Sequence, residues 1–591
     1  MKIERLLERF TTWRLKHISD KQFMIILSVL IGMAVGGAAV IIKNSVHFIQ
    51  HFLTGWFADS YGNLLYFAYP AVGILLVMIF IKFILKKPIG DGVPNVLFAI
   101  SKTNGLMKPH NVFSSVITSA FTVGFGGSVG LEGPTVATGA AIGSNAGRLL
   151  GLNYKQIVSL LGFASAGAMA SIFKAPITAI VFALEVIMLD LTMSSLVPLL
   201  ASSVVAALTS YFFLGQNVLY PFEINNTFKL GNVPYYIGLG IVTALFSLYF
   251  IRTIAFAQKQ FQKIKSWVLR FSIGATILGV LVFLFPPLFG EGYQTVNNSL
   301  NGNYFTIFDS SIFYGYRDNI IAIMVMLLVL TLFKVIASSA TFGAGGIGGI
   351  FAPTLFTGAH IGLLYALSIN YFGLGTIPVS NFALVGMAGM ISGVIHGPLT
   401  AIFLIAEITG GYHLMLPLMI VATISYGTVK FFEPDSVYTI QLSKKIHLIT
   451  HHKDKALLSL MKINALIETN FATIHPKATL RDLVKVISES SRNVFPVVDQ
   501  NKKFHGMIIM DQVRHIMFRP EFYDTTSVKN LMFMPTHTVQ IDEPMEEVAQ
   551  KFQHSGKYNL VVLDHDKYVG FVSRANVFSK YRELLKDISE H

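Results

Sequence analysis

The sequence predicts an α-helical polytopic membrane protein built from inverted-topology repeats with broken helices, followed by a C-terminal α/β domain. Three observations carry this. Of 591 residues, 53% are hydrophobic and only 13% are charged. The charge is uneven: the stretch from His451 to the end holds 36 of the 77 charged residues, so a long apolar part precedes a soluble-looking tail of one domain's length. The apolar part also repeats itself, with glycine and proline interruptions at matching places.

Residues 1–22 are basic and amphipathic, with Lys2, Arg5, Arg9, Arg14, Lys16 and Lys21 against three acids, and are read as a cytoplasmic N-terminal segment rather than a cleavable signal. An apolar span follows over 23–42, and others near 65–86, 193–214, 235–254, 272–289 and 319–337. Between them lie shorter or interrupted apolar segments at 111–123, 134–150, 155–172, 176–189, 353–369, 382–395, 398–409 and 415–428. Irregular backbone at membrane depth is tolerated only inside protein or along a cavity. The transport domain is placed at 23–445, with repeats over about 65–215 and 235–430, and the tail at 446–591.

The duplication is explicit. ASAGAMASIFKAPITAIVFALE (164–185) aligns with GMAGMISGVIHGPLTAIFLIAE (386–407), pairing Pro176 with Pro398 and Glu185 with Glu407. GGSVGLEGPTVATGAAIG (126–143) aligns with GGIGGIFAPTLFTGAHIG (345–362), pairing Pro134 with Pro353. The offsets, 222 and 219, nearly agree.

Glu132 is the sole charged residue between Asn111 and Ala146. A carboxylate in a low-dielectric setting costs several kcal/mol or more unless something compensates it, so its default reading is functional. Helix starts are expected at Pro94, Pro134 and Pro353, each preceded by glycine. Three helix N-termini converging at mid-membrane form a dry electropositive site without full charges, suited to an anion that must bind and leave. A tethered carboxylate in such a site is a gate. Glu185 and Glu407 are read as satisfying buried backbone groups, and Lys174 and His396 as lying at helix ends facing water or headgroups.

At these residues the chain resembles the CLC family of chloride channels and chloride–proton antiporters. The family's selectivity segments stand here as Gly90-Asp91-Gly92-Val93-Pro94, Gly130-Leu131-Glu132-Gly133-Pro134 and Gly349-Ile350-Phe351-Ala352-Pro353. The resemblance implies a homodimer with one anion pathway per subunit, and Glu132 as the gating glutamate on the extracellular side. It implies a central anion held by the N–H groups of Ile350 and Phe351 and the hydroxyl of Tyr438, with Asp91, Gly92, Gly130 and Gly133 completing the anion-binding set. Two positions depart from the pattern. Asp91 replaces the usual serine, whose hydroxyl donates to the anion; an ionised aspartate accepts only. Three readings stand open for it: a helix cap turned away from the ion, a second tethered anion, or a protonated donor. Val186 fills the position where exchangers usually carry a second, proton-relaying glutamate, which leans toward a passive channel; a coupled antiporter is the alternative.

In the tail, NVFPVVDQNKKFHGMIIMDQV (493–513) parallels YNLVVLDHDKYVGFVSRANV (558–577), each reading as strand, turn, strand, helix, with amphipathic helices upstream at 479–490 and 544–555. This resembles a pair of CBS domains, near 455–520 and 525–591. Some such pairs hold adenine nucleotides. Ser573 and Asn576 stand at the ribose-binding positions, but neither copy keeps the usual aspartate there, so packing and regulation of gating are favoured over nucleotide binding.

No cofactor is required by this reading, and chloride or another small anion is the substrate. Composition excludes a soluble enzyme, and no nucleophile–base set or metal constellation supports an enzyme of any kind. The basic balance fits membrane charge bias rather than nucleic acid. A divalent cation channel carrying CBS domains is the more distant alternative; it needs carboxylate or carbonyl ligands that the glycine-rich helix starts barely offer. Both termini are expected in the cytoplasm, with the protein in a plasma or inner membrane. With no cysteine there is no disulfide or thiolate chemistry.

Overall fold

The computed structural model describes residues 13–14, 16–55, 64–90, 92–187, 193–216, 228–440, 458 and 461–589. It divides into two compact units, Met1–Leu448 and Ile449–His591.

In the first unit, one run of helices comprises α1 (Asp20–Gly55), α2 (Leu64–Ile79), α3 (Gly92–Lys102), α4 (Asn111–Gly124), α5 (Glu132–Leu149), α6 (Tyr154–Phe173), α7 (Pro176–Glu185) and α8 (Met193–Leu214). A second comprises α9 (Val233–Lys263), α10 (Trp267–Leu284), α11 (Tyr293–Leu300), α12 (Ile320–Ala344), α13 (Phe351–Tyr371), α14 (Val379–Ile395), α15 (Pro398–Ile408) and α16 (Met415–Phe432). Among the described residues, nine helices are long and apolar enough to cross a membrane, and α4, α7, α14 and α15 are shorter apolar pieces.

The two runs correspond helix by helix. α1 packs on α8, α6, α4 and α5, as α9 packs on α16, α14, α12 and α13. The first repeat therefore begins at α1, not at about residue 65 as the sequence alignment implied. Helices such as α1 and α9 carry many exposed apolar side chains, Leu30, Ile41 and Phe48 on one and Ile237, Ile241 and Leu245 on the other. A lipid-facing surface demands only apolar character, so the two helices share packing partners without sharing a motif.

Equivalent segments run antiparallel. Gly130 and Gly349 form an antiparallel bridge. The α7 C-terminus lies beside the α15 N-terminus, and the reverse. Glu185 accepts from the backbone N–H of Leu399 (3.1 Å) and Thr400 (2.8 Å) and from the Thr400 hydroxyl (2.7 Å). Glu407 accepts from Ile177 N (3.0 Å), Thr178 N (2.7 Å) and the Thr178 hydroxyl (2.6 Å). Each acid thus satisfies the orphan donors that open the other repeat's helix, the structural role expected of both.

Lys174 and His396 are matching C-caps of α6 and α14 in the left-handed conformation, φ 57° and 62°. Both are half-buried. Lys174 lies at the helix end as expected and keeps part of its surface open, while its Nζ donates to Gly215 O (2.7 Å) and lies over the Tyr211 ring, closing the end of α8.

In the second unit a four-stranded sheet has the order β1 (Ile467–Glu468), β6 (Lys567–Ser573), β5 (Asn559–Asp564), β4 (Thr538–Gln540), with β4–β5 parallel and the rest antiparallel. β2 (Val494–Val498) and β3 (Phe504–Ile509) form a separate hairpin. Helices α17 (Leu480–Glu489), α18 (Met510–Val513), α19 (Val528–Leu531), α20 (Met545–Ser555) and α21 (Arg574–Ser589) complete it. The two copies of strand, turn, strand, helix lie where the sequence placed them, and their hairpin turns join: Phe504 N donates to Asp566 O and Tyr568 N to Lys502 O, both at 2.9 Å.

Candidate functional site

Three helices start at one point. α3 begins at Gly92, α5 at Glu132 and α13 at Phe351, each two residues ahead of the proline expected to open it, so Pro94, Pro134 and Pro353 lie in the first turn, where no N–H is needed. The starts touch through glycine. A Cβ on Gly92 would lie 2.8 Å from the Gly133 backbone, and one on Gly349 2.7 Å from Gly133 N. Gly130 N donates to Gly349 O (2.8 Å) and Gly349 N to Gly130 O (2.7 Å). At Gly92 and Gly349 an added methyl would overlap backbone that cannot step aside, which is why glycine stands there.

Glu132, as the first residue of α5, is 1% exposed. Its Oε1 accepts from the Tyr293 hydroxyl at the start of α11. Its Oε2 makes no close hydrogen bond among the described residues; it faces Gly130, where a Cβ would stand 1.9 Å away, and Gly349. The backbone N–H of Ala352, in the first turn of α13, also faces the carboxylate. The Glu132 carboxylate of one repeat therefore lies at the helix N-terminus of the other, a setting that favours an anion. Its counterpart Phe351 instead packs its ring on Phe173 and Phe182, centroids 5.8 and 5.9 Å away.

Beside the junction lies a cavity of about 320 Å³. Gly92, Gly133, Ile350 and Tyr438 line it. Tyr438 is buried, and its hydroxyl has no hydrogen-bond partner among the described residues. Gly130 and Phe351 adjoin the junction without lining the cavity, and Asp91 lies outside the described residues. Sequence reasoning missed Arg270, the sole charged side chain among the described lining residues. It stands in the first turn of α10, where a cation runs against the helix dipole; that conflict was the available signal.

Val186 caps α7, is 5% exposed and lies against Gly397; it offers no titratable group. In the tail, the Ser573 hydroxyl accepts from Asn576 N (3.2 Å), and the Asn576 amide donates to Glu468 Oε1 (2.8 Å). Glu468 Oε2 in turn accepts from Arg492 (2.9 Å).

The voltage gated chloride channel family profile matches residues 72–430, and the CBS domain profile matches 463–519 and 528–583. A ClcB-like protein of Ralstonia nicotianae, named as a chloride channel protein, is 30% identical over 64% of this chain and 85% of its own length. An H(+)/Cl(-) exchange transporter ClcA of Vibrio cholerae is 28% identical over 69% of this chain and 86% of its own. Among solved structures, a slow cyanobacterial Cl-/H+ antiporter shares 20% identity at a TM-score of 0.62, covering 74% of this chain and all of that one. A eukaryotic CLC transporter shares 18% at 0.56, covering 94% of this chain and 97% of its own. These structural likenesses establish the fold, and the profile match over more than half the length establishes the membership: the chain belongs to the CLC, or voltage gated chloride channel, family.

Proposed function

We propose that this multi-pass membrane protein, an anion transporter by family, exchanges chloride for protons along a pathway gated by Glu132. The observation that carries the reading is the sealed Glu132 carboxylate at the N-terminus of α13, held by Tyr293. As an anion it competes with chloride for the same backbone donors; protonated, it leaves the site to chloride. One acid thereby links the two ions. The N–H groups at Ile350 and Phe351 and the Tyr438 hydroxyl hold the central anion, with Gly92, Gly130 and Gly133 allowing close approach. The exchangers among the relatives favour coupling over the passive channel that Val186 alone pointed to.

A passive channel is the second reading, and Val186 is the observation behind it. Two copies form the working unit, as the family likeness implies. The CBS pair serves packing and regulation, since Glu468 already occupies the Asn576 amide. Reversal potential in purified proteoliposomes under opposed chloride and proton gradients tests the choice. Coupled exchange moves it away from the chloride Nernst value and makes it shift with pH. A value that tracks chloride and ignores pH leaves the channel.

A further inference from the structure

Glu132 is sealed, so a proton must reach it through another group. Glu291 stands beside it in Gly290-Glu291-Gly292, and both glycines adopt positive φ, 60° and 84°. That loop turns the Glu291 carboxylate onto the start of α5, where Oε1 accepts from Leu131 N at 3.2 Å. Leu131 is the residue before Glu132, and Tyr293, two residues after Glu291, donates to Glu132. The loop is pinned from below: Lys334, fully buried, donates from Nζ to Gly290 O at 2.7 Å and lies over the Phe356 ring.

The charged groups facing Glu291 are Glu132 on α5, Lys43 on α1 and Lys334 on α12. Lys43 faces both acids and donates to Ile172 O at 2.6 Å. Beyond Lys334, His360 stacks on Phe356 with Nδ1 at 2.7 Å from the Phe356 carbonyl oxygen. Glu291 keeps part of its residue surface open, whereas Glu132 is 1% exposed, although the Glu291 carboxylate itself is enclosed by protein much as that of Glu132 is.

We propose that Glu291 is the proton-exchanging partner of Glu132, taking a proton from the water on its side and passing it to the gate carboxylate. In the transfer an O–H bond on Glu291 breaks and one forms on Glu132, and the negative charge moves the other way. Water then reprotonates Glu291. Two acids this close share their titration, so the gate responds to pH as a pair. The proposal rests on Glu132 as the gate and adds the route by which its proton arrives.

The test is chloride and proton flux by the full-length protein in liposomes, with pH varied on each side in turn. In Glu291→Gln, loss of the neighbouring negative charge moves the midpoint of the chloride-flux pH profile down by about one unit, and proton flux falls about tenfold, an order of loss expected when a positioned proton-transfer group is removed. Glu291→Asp keeps the acid and charge but shortens its reach, so its midpoint stays with the parent while proton flux slows. A parental profile and proton flux in Glu291→Gln overturn the proposal; undiminished proton flux in Glu291→Asp overturns it even where the Gln variant fails to fold. Glu132→Gln separates the two readings. If it keeps the parent's pH dependence, the gate assignment fails; if it loses pH dependence while Glu291→Gln behaves as the parent, only the relay fails.

Discussion

Gly130 and Gly349, equivalent residues of the two repeats, exchange both of their backbone hydrogen bonds in an antiparallel bridge. The pair marks where the repeat axis passes, and the Glu132 carboxylate lies against it. Alanine at the two positions should behave differently. At Gly130 the added methyl meets the movable end of Glu132 Oε2 at 1.9 Å and the Ala352 methyl at 2.9 Å, so the carboxylate must leave and the start of α13 must give by a few tenths of an ångström. Gly130→Ala is expected to imitate loss of the gate, with chloride flux that no longer responds to pH. At Gly349 the methyl meets the backbone of Gly133 at 2.7 Å, which cannot step aside. Gly349→Ala should lower stability by about 1–3 kcal/mol, as overpacking does, read as a drop in unfolding temperature in detergent. A Gly130→Ala protein with the parent's pH profile would count against the gate's closed position.

Glu185 and Glu407 make a second cross-repeat relationship, each capping the helix that the other ends. A carboxylate receiving three donors is worth more than its parts suggest, because its loss leaves two backbone N–H groups of a helix start unpaired. Glu185→Ala and Glu407→Ala are each expected to destabilise the protein by about 2–4 kcal/mol, given hydrogen bonds to a charged group near 1.5–3 kcal/mol each and partial rescue by water. Thr400→Val should cost less, since the backbone donors keep their acceptor. Proton coupling per chloride should be unchanged in whatever folded protein remains. A changed stoichiometry with unchanged stability would assign these acids to transport instead.

The site was legible because its chemistry needs residue types that packing does not. Glu132 stood out as a lone charge, the repeat pairing set it opposite Phe351, and the Gly-Pro spacing located all three helix starts to within two residues. The start of the first repeat was not legible, because α1 and α9 share packing partners without sharing a motif. Tyr293 and Glu291 were missed for another reason: they lie some 160 residues from Glu132 in sequence, and nothing local in the sequence reports that contact. The Gly-Glu-Gly setting of Glu291, so close to that of Glu132, was the one available sign. Arg270 was missed although its place in the first turn of α10 runs against the helix dipole.

Arg270 supplies a prediction on rate. As the single charge among the described residues lining a cavity of about 320 Å³, it raises the local anion concentration without binding at the helix starts. A charge that acts at a distance is screened by salt, with a Debye length of about 10 Å at 0.1 M. Arg270→Gln should therefore lower chloride flux severalfold at low ionic strength, and the deficit should shrink as an impermeant salt is added. Loss that is independent of ionic strength would make Arg270 a packing residue.

In the tail, pH dependence can be assigned with its sign. Thr479 and Asp482 form a reciprocal capping box at the start of α17: Thr479 N donates to Asp482 Oδ2 at 2.9 Å, and Asp482 N to the Thr479 hydroxyl at 3.4 Å. The hydrogen bonds from the Thr479 backbone and hydroxyl hold the Asp482 carboxyl below its ordinary value of 3.8. A depressed acid contributes stability that is fully present above its unfolded value and is lost as pH falls through its lower folded value. Asp482→Asn removes the charge but keeps an acceptor oxygen and should weaken α17 by about 0.3–1 kcal/mol at neutral pH, the worth of a negative charge near a helix N-terminus. Hydrogen exchange across Leu480–Glu489 in the full-length protein reads this locally. The parent should lose protection in α17 as pH drops below 4, once rates are corrected for intrinsic exchange, while Asp482→Asn should start lower and change less. Equal acid sensitivity in the two proteins would place the titrating group elsewhere in the tail. Asp524, which Arg481 holds low through paired bonds of 2.8 and 2.6 Å, would be the next to replace.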